Sequence, residues 1–106
     1  YTMAKYGMSL CVLGMAEEFR GRVQVNALWP RTVIYTAALA MLGARVKPEH
    51  CRKESIVADA AHAILTSARS GEFCIDETVL RESGVSDFEQ YAVAPGKPLL
   101  PDLFLD

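Results

Sequence analysis

The chain has 106 residues, of which 51% are hydrophobic and 23% are charged, and its formal net charge at pH 7 is −2. A chain of this length can bury the core of one small domain. The small net charge and the scattered basic residues exclude a strongly basic surface that would attract nucleic acid or an anionic membrane.

The first twenty residues have the pattern of an α-helix. Met8, Val12, Met15 and Phe19 recur at the spacing of one helical face, so we predict a helix over residues 1–20. This pattern starts at the first residue with no capping side chain before it. We therefore expect the chain to be cut from a longer protein.

Two glycines of this helix, Gly7 and Gly14, lie two turns apart on nearly the same face. Glycine is less favourable than alanine in a helix interior by about 1 kcal/mol. We interpret the pair as a place where another backbone comes close. One hypothesis is therefore that the chain is a non-catalytic structural piece that dimerises through this helix.

The rest of the chain alternates strands and helices. We predict a strand at residues 23–28, a short helix at 36–42, a loop at 44–50, a long helix at 54–68, a strand at 73–75 and one or two helical turns at 77–82. The long helix has a regular apolar stripe, formed by Ile56, Val57, Ala60, Ala61, Ile64 and Leu65. Prolines make residues 95–106 an extended tail, so the domain itself is placed at residues 1–94.

The order of these elements is typical of an α/β fold with parallel strands. Two short strands are too few for a stable parallel sheet. We therefore predict the C-terminal part of a doubly wound parallel sheet that is incomplete in this chain.

The cysteines and histidines give no pattern of a metal site. Cys11, Cys51 and Cys74 lack ligand spacing, and Cys11 and Cys74 lie in apolar runs that are typical of buried free thiols. His50 and His62 have no carboxylate or thiolate at ligand spacing. We predict no metal site, reduced thiols in an intracellular protein, and no membrane span, since charges interrupt the longest apolar run.

Tyr1 and Lys5 are one helical turn apart, so their side chains leave the same face of the helix about 6 Å apart. Lowering the pKa of a phenol from about 10 to neutrality takes roughly 4 kcal/mol. An ammonium at that distance supplies about 2.8 kcal/mol at an effective dielectric near 20. The spacing suits a tyrosine that exchanges a proton during hydride transfer. A solvent-facing pair without chemistry is the other interpretation.

Two segments resemble the motifs of the short-chain dehydrogenase/reductase family. YTMAK at residues 1–5 is similar to that family's Y-x-[AS]-[ST]-K, and VNALWP at residues 25–30 is similar to the start of its N-x-x-x-P-G-x-[VI]-x-T. Arg31 replaces the glycine after the proline. Tyr35 occupies the usual place of the threonine, and Thr36 follows one position later.

The resemblance implies a Rossmann-type fold and an NAD(P)-dependent oxidoreductase that interconverts a carbonyl and an alcohol. Tyr1 would be the acid/base, and Lys5 would lower the pKa of Tyr1 and bind the nicotinamide ribose. Pro30, Val33 and Thr36 would line the nicotinamide side, Val33 through its backbone groups.

The resemblance has further implications for substrate, partners and location. The substrate would be a small carbonyl or alcohol, lipid-like in class, and the cofactor either NAD or NADP. The full-length protein would be a homo-oligomer through its first helix, in the peroxisome or mitochondrion, with the cytoplasm left open. Because the family binds the dinucleotide at a strand–turn–helix unit before the tyrosine, we expect little activity from this chain alone. Trp29 is either a substrate contact or a packing residue.

Overall fold

Two parallel strands lie at the centre of the structure, a computed structural model that describes residues 1–43 and 45–103. Helices α1 (Thr2–Glu18), α2 (Ala37–Met41), α3 (Ser55–Leu65) and α4 (Asp76–Glu82) surround strands β1 (Ala27–Trp29) and β2 (Phe73–Ile75). Single 3₁₀ turns lie at Pro48–His50 and Glu89–Tyr91. The predicted α/β class with a small parallel sheet is confirmed.

Helices cover both faces of the strand pair. Leu28 stands opposite Cys74 in the register and packs with residues of α3 and α4. The next residue, Trp29, contacts Ser9 and Tyr6 of α1 instead. Because successive side chains of a strand point to opposite faces, α1 lies on one face of the pair, and α3 with α4 lies on the other.

The hydrophobic core lies between α3, α4 and β1. The predicted apolar stripe of α3 supplies Ile56, Ala60 and Ile64, none of which is more than 7% exposed. Leu28 of β1 packs against both groups of buried side chains and joins them into one core. Leu65, the last member of the predicted stripe, is instead 79% exposed, so the stripe leaves the core at the final turn.

The first strand is shorter than the predicted range 23–28 and begins at Ala27. The partner segment turns at Gly71, whose φ is +76°, and pairs with β1 only from Phe73 onward. Before that point Asn26 holds the two segments together through its side chain. Its amide donates to the carbonyl of residue 69 at 2.9 Å, and its Oδ1 accepts the N–H of residue 72 at 3.2 Å.

The third helix also ends earlier than the predicted range 54–68, at Leu65. The hydroxyl groups of Thr66 and Ser67 donate to carbonyl oxygens of the last turn, at 2.9 and 2.7 Å. The last carbonyls of a helix have no partner within the helix, and side-chain hydroxyls compete for them. These two side chains therefore account for the early end.

The predicted first helix is confirmed, but its predicted apolar face is buried only in part. Met8 and Met15 are 57% and 44% exposed. The side that faces the sheet is formed by the small and medium residues Ser9, Val12 and Ala16, which are buried or half-buried, as is Phe19 just after the helix. Among the described residues no helix, α1 included, combines the length and the apolar content that crossing a bilayer requires.

All three cysteines are free thiols, but not all are buried. The expectation that Cys11 is buried is wrong, because it lies on the side of α1 that faces away from the sheet. Cys74 is buried as expected. Cys51 is fully buried as well, and burial raises the pKa of its thiol, which keeps it protonated.

The described part of the proline-rich tail pairs with the loop that follows β1. An isolated antiparallel bridge joins Pro101 to Thr32. Within it the N–H of Val33 donates to the carbonyl of Leu100 at 3.0 Å, and the N–H of Asp102 donates to the carbonyl of residue 31 at 3.1 Å. Residue 44 of the predicted loop and residues 104–106 of the predicted tail lie outside the described residues.

Candidate active site

A cavity of about 430 Å³ opens between α1, the end of β1 and the tail. The first three turns of α1, including Tyr1 before its start, form one wall, and residues 26–30 form the floor. Asp102 and Leu103 of the tail form the remaining side. The cavity therefore lies at the carboxyl end of a parallel strand, where α/β folds bind their ligands.

Tyr1 and Lys5 both line this cavity. The backbone N–H of Lys5 donates to the carbonyl of Tyr1 at 3.0 Å, which closes the first turn of α1. The Lys5 ammonium lies 5.4 Å from the centre of the Tyr1 ring, within the range of a cation–π contact. The two side chains, one helical turn apart in the sequence, therefore contact each other. The contact lies at the mouth of the cavity, where Tyr1 is 83% exposed.

Trp29 joins the floor of the cavity to α1. Its indole N–H donates to the hydroxyl of Ser9 at 3.2 Å, and its ring meets Tyr6 edge to face, with centroids 5.4 Å apart and an interplanar angle of 80°. The same side chain lines the cavity. The two interpretations of Trp29, packing and substrate contact, are therefore compatible.

The four residues expected to bind the cofactor separate into two pairs. Lys5 and Pro30 line the cavity. Val33 lies outside it, with its N–H used by the tail and its carbonyl accepting the N–H of Arg52 at 3.0 Å. Thr36 is the N-cap of α2, where its hydroxyl oxygen accepts the N–H of residue 39 at 3.2 Å.

These positions test whether the chain fits a nicotinamide ring. An ammonium, a proline wall and an apolar floor around one cavity fit such a ring on the side of Lys5 and Pro30. Val33 and Thr36 lie outside the lining of this cavity, so their contact with the ring stays a prediction. Within residues 1–43 and 45–103 no group of three or more His, Cys, Asp or Glu side chains is arranged to hold a metal ion.

Asp102 and Leu103 are cavity residues that sequence reasoning missed. They lie in a segment without periodicity, and they reach the cavity because the tail backbone pairs with the loop after β1. Pairing between such distant segments leaves no local pattern. The only signal was the apolar character of the residues that end the tail.

In its fold and over its whole length the chain is similar to the short-chain dehydrogenases. Over its whole length the chain superposes on a protein from Xanthomonas campestris described as a dehydrogenase, with a TM-score of 0.91 and 53% identity. It also superposes on a short chain dehydrogenase from Mycobacterium thermoresistibile, with a TM-score of 0.90 and 44% identity. It covers 40% and 39% of those two chains. The predicted resemblance to this family is confirmed.

A more particular likeness is to hydroxysteroid dehydrogenase-like protein 2. The chain is 61% identical to that protein from Mus musculus and from Danio rerio, and 56% identical to that from Homo sapiens, with all of the chain matched. It spans 22% of the mouse protein and 26% of the other two, about a quarter of the length of these curated relatives. No protein-family model matches the chain.

Proposed function

We propose that the full-length protein is an NAD(P)-dependent oxidoreductase that interconverts a carbonyl and an alcohol. The observation that carries this proposal is the contact between Tyr1 and Lys5 in a cavity whose floor ends at Pro30. The likeness to dehydrogenases supports the reaction class, and the cavity brings a phenol and an ammonium side by side.

In this proposal Tyr1 moves the proton. Its phenol O–H gives its proton to the substrate oxygen during reduction, and its phenolate takes a proton from the alcohol during oxidation. The Lys5 ammonium stabilises the negative charge left on the phenolate oxygen and binds the cofactor ribose. A bound nicotinamide would supply or accept the hydride at the substrate carbon.

The cavity walls support a lipid-like or otherwise apolar substrate. Met8, Trp29 and Leu103 present apolar surface to the same space as Tyr1. Apolar walls with a few polar groups are typical of small-molecule sites, where the polar groups fix orientation. The substrate would therefore place its oxygen at Tyr1 and its hydrocarbon portion toward these three side chains. Both NAD and NADP agree with this proposal.

A second candidate, a dimerisation role for α1, is supported by the exposed apolar surface of that helix. Leu10 and Leu13 are 66% and 49% exposed. A Cβ added at Gly7 or Gly14 would meet no described atom within 4 Å, so no close backbone within the described chain explains these glycines. A bulky residue at both glycines should dissociate the full-length protein in light scattering if this candidate is correct. A surviving oligomer would count against it.

The location of the protein is proposed from the resemblance alone. We expect an intracellular protein of the peroxisome or mitochondrion, with the cytoplasm left open. Imaging of the tagged full-length protein beside markers of the two organelles would test this proposal.

The enzymatic proposal is tested by following reduced nicotinamide in the purified full-length protein, with NAD⁺ or NADP⁺ and a panel of secondary alcohols. Lys5→Met should lower kcat/KM by about tenfold or more. Lys97→Met, which removes an exposed ammonium of the tail, is the matched control and should leave kcat/KM unchanged. Absence of cofactor binding and turnover in the wild type, or equal activity of the two variants, would contradict the proposal.

A further inference from the structure

A buried carboxylate lies behind the cavity floor. Asp76, the first residue of α4, is 0% exposed. Its Oδ1 accepts the backbone N–H of Arg31 at 2.8 Å and that of Glu77 at 2.6 Å. Its Oδ2 is buried without a hydrogen-bond partner among the described residues. An incompletely partnered buried carboxylate is destabilising, so the stability of α4 alone does not explain its presence.

The bond to Arg31 connects α4 to the cavity floor. Pro30 lines the cavity and has no backbone N–H, so the first N–H available after β1 belongs to Arg31. The carboxylate of Asp76 accepts that N–H, and the carbonyl of Arg31 accepts the N–H of Asp102 at 3.1 Å. Both backbone polar groups of the residue that follows Pro30 are thus held, one by α4 and the other by the tail.

We infer that Asp76 is a positioning residue, which holds Pro30 at the nicotinamide side of the cavity through the backbone of Arg31. This inference rests on the proposed function. A cofactor ring that packs against Pro30 binds well only when the loop is already in place, because ordering a loop on binding lowers affinity. The carboxylate touches neither substrate nor cofactor and acts through the loop.

The other account of Asp76 is purely local. An acidic side chain in the first turn of a helix stabilises the helix through its exposed N–H groups, and Asp76 does accept the N–H of Glu77. Glu77 supplies the matched control, because its carboxylate pairs with Arg52 and Arg81 and has no bond to the loop. Disturbing it weakens the start of α4 without releasing Arg31.

The chemistry at Asp76 suggests two informative substitutions. Burial raises the pKa of Asp76, and the backbone bonds from Arg31 and Glu77, together with the charge of Arg52, lower it by a smaller amount. Asparagine has the same shape and keeps one acceptor oxygen for the N–H of Arg31, which makes Asp76→Asn the rescue variant. Asp76→Leu has a similar volume and no acceptor, and Asp76→Ala replaces it if the leucine variant does not fold.

The test uses the full-length protein at a temperature where circular dichroism shows every variant folded. Two quantities are measured, the exchange rate of the Arg31 amide hydrogen and the KM for the nicotinamide cofactor. In Asp76→Leu we expect the amide to exchange about tenfold faster and the cofactor KM to rise about tenfold. Asp76→Asn should stay near the wild type in both, and Glu77→Gln should lower only the melting temperature.

Several outcomes would overturn the inference. The first is an Asp76→Leu variant whose Arg31 amide exchanges faster while its cofactor KM is unchanged. The second is an Asp76→Asn variant that is as impaired as Asp76→Leu. The third is a Glu77→Gln variant with the same rise in cofactor KM. A wild type that neither binds the cofactor nor turns over an alcohol would remove the proposed function and the positioning role together. Amide exchange distinguishes this last case, because it reports the Asp76–Arg31 bond without catalysis.

Discussion

Trp29 donates its indole N–H to the hydroxyl of Ser9 across 3.2 Å, which joins the last residue of β1 to a buried residue of α1. Ser9→Ala removes the acceptor and leaves the indole N–H unpaired. We expect the free energy of unfolding to fall by about 1 kcal/mol, measured by urea denaturation of the full-length protein. Ser86→Ala, at an exposed position, is the control and should have no effect. An equal effect of both substitutions would contradict the expectation.

The ion pair between Arg52 and Glu77 should dominate the electrostatic stability of α4. The two side chains are 7% and 22% exposed and lie 2.7 Å apart. Glu77→Gln leaves a buried guanidinium without its counter-ion, so we expect a loss of about 2 kcal/mol at neutral pH. Glu82 lies in the same helix and forms a more exposed pair with Arg69, which precedes β2. Glu82→Gln should therefore lose at most about 1 kcal/mol.

The same pair gives a pH dependence with a defined sign. Burial alone would raise the pKa of Glu77, but the hydrogen bonds and charges of Arg81 and Arg52 lower it below its ordinary value of 4.5. A lowered folded-state pKa stabilises the protein above the unfolded-state value, and the contribution disappears as the pH falls through the folded-state pKa. The stability difference between wild type and Glu77→Gln should therefore shrink between about pH 6 and about pH 3. A constant difference would contradict this.

Tyr91 and Asp59 form a second pH-dependent contact at the other end of the pH scale. The Tyr91 hydroxyl donates to Oδ2 of Asp59 at 2.7 Å, and burial, with this bond and the nearby negative charge, raises the pKa of Tyr91 to about 12. A raised folded-state pKa stabilises the protein fully below the ordinary value of 10, and this stability is lost as the pH rises toward 12.

The measurement is a tyrosinate absorbance titration of the wild type and Tyr91→Phe. The difference between the two curves should show one phenol that ionises near pH 12, and the substitution should lower the free energy of unfolding at neutral pH by about 1 kcal/mol. Tyr35→Phe, at an exposed position, is the control and should leave the phenol that ionises near pH 12 in place. A difference curve for Tyr91→Phe without that phenol would refute the assignment.

Leu103 should limit the size of the substrate. It lines the cavity, and Leu103→Trp narrows the space opposite α1. We expect kcat/KM for a bulky cyclic alcohol to fall about tenfold relative to a short secondary alcohol. Leu100→Trp, on the same tail but outside the cavity lining, should leave the ratio unchanged. An equal effect on both alcohols in Leu103→Trp would show that the tail does not set specificity.

The sequence pattern predicts both an element and its buried face where the buried residues are also the large apolar residues. The stripe through Ile56, Ala60 and Ile64 predicted α3 and its buried face, because both facts follow from the same spacing. In α1 the large apolar residues and the buried residues are not the same. Small residues such as Ser9 and Ala16 face the sheet, whereas Met8 is exposed, so periodicity predicted the helix but not its face.

Contacts between distant segments could not be predicted from spacing. The start of β1 depends on where its partner turns at Gly71, and the third wall of the cavity depends on the tail pairing that carries Leu103. Asp76 reads in the sequence as an ordinary acidic residue at a helix start, and its bond to Arg31 crosses 45 positions. The Tyr1–Lys5 contact was predictable because one helical turn determines it.

The most direct test of the central claim compares two phenols of the same cavity. Tyr1 and Tyr6 both line it, and the proposal assigns proton transfer to Tyr1 alone. In the full-length protein, Tyr1→Phe should lower kcat for alcohol oxidation by about 10²- to 10⁴-fold with cofactor affinity retained, and Tyr6→Phe should retain kcat within about threefold. Wild-type turnover in Tyr1→Phe, or a comparable loss in both variants, would contradict the account.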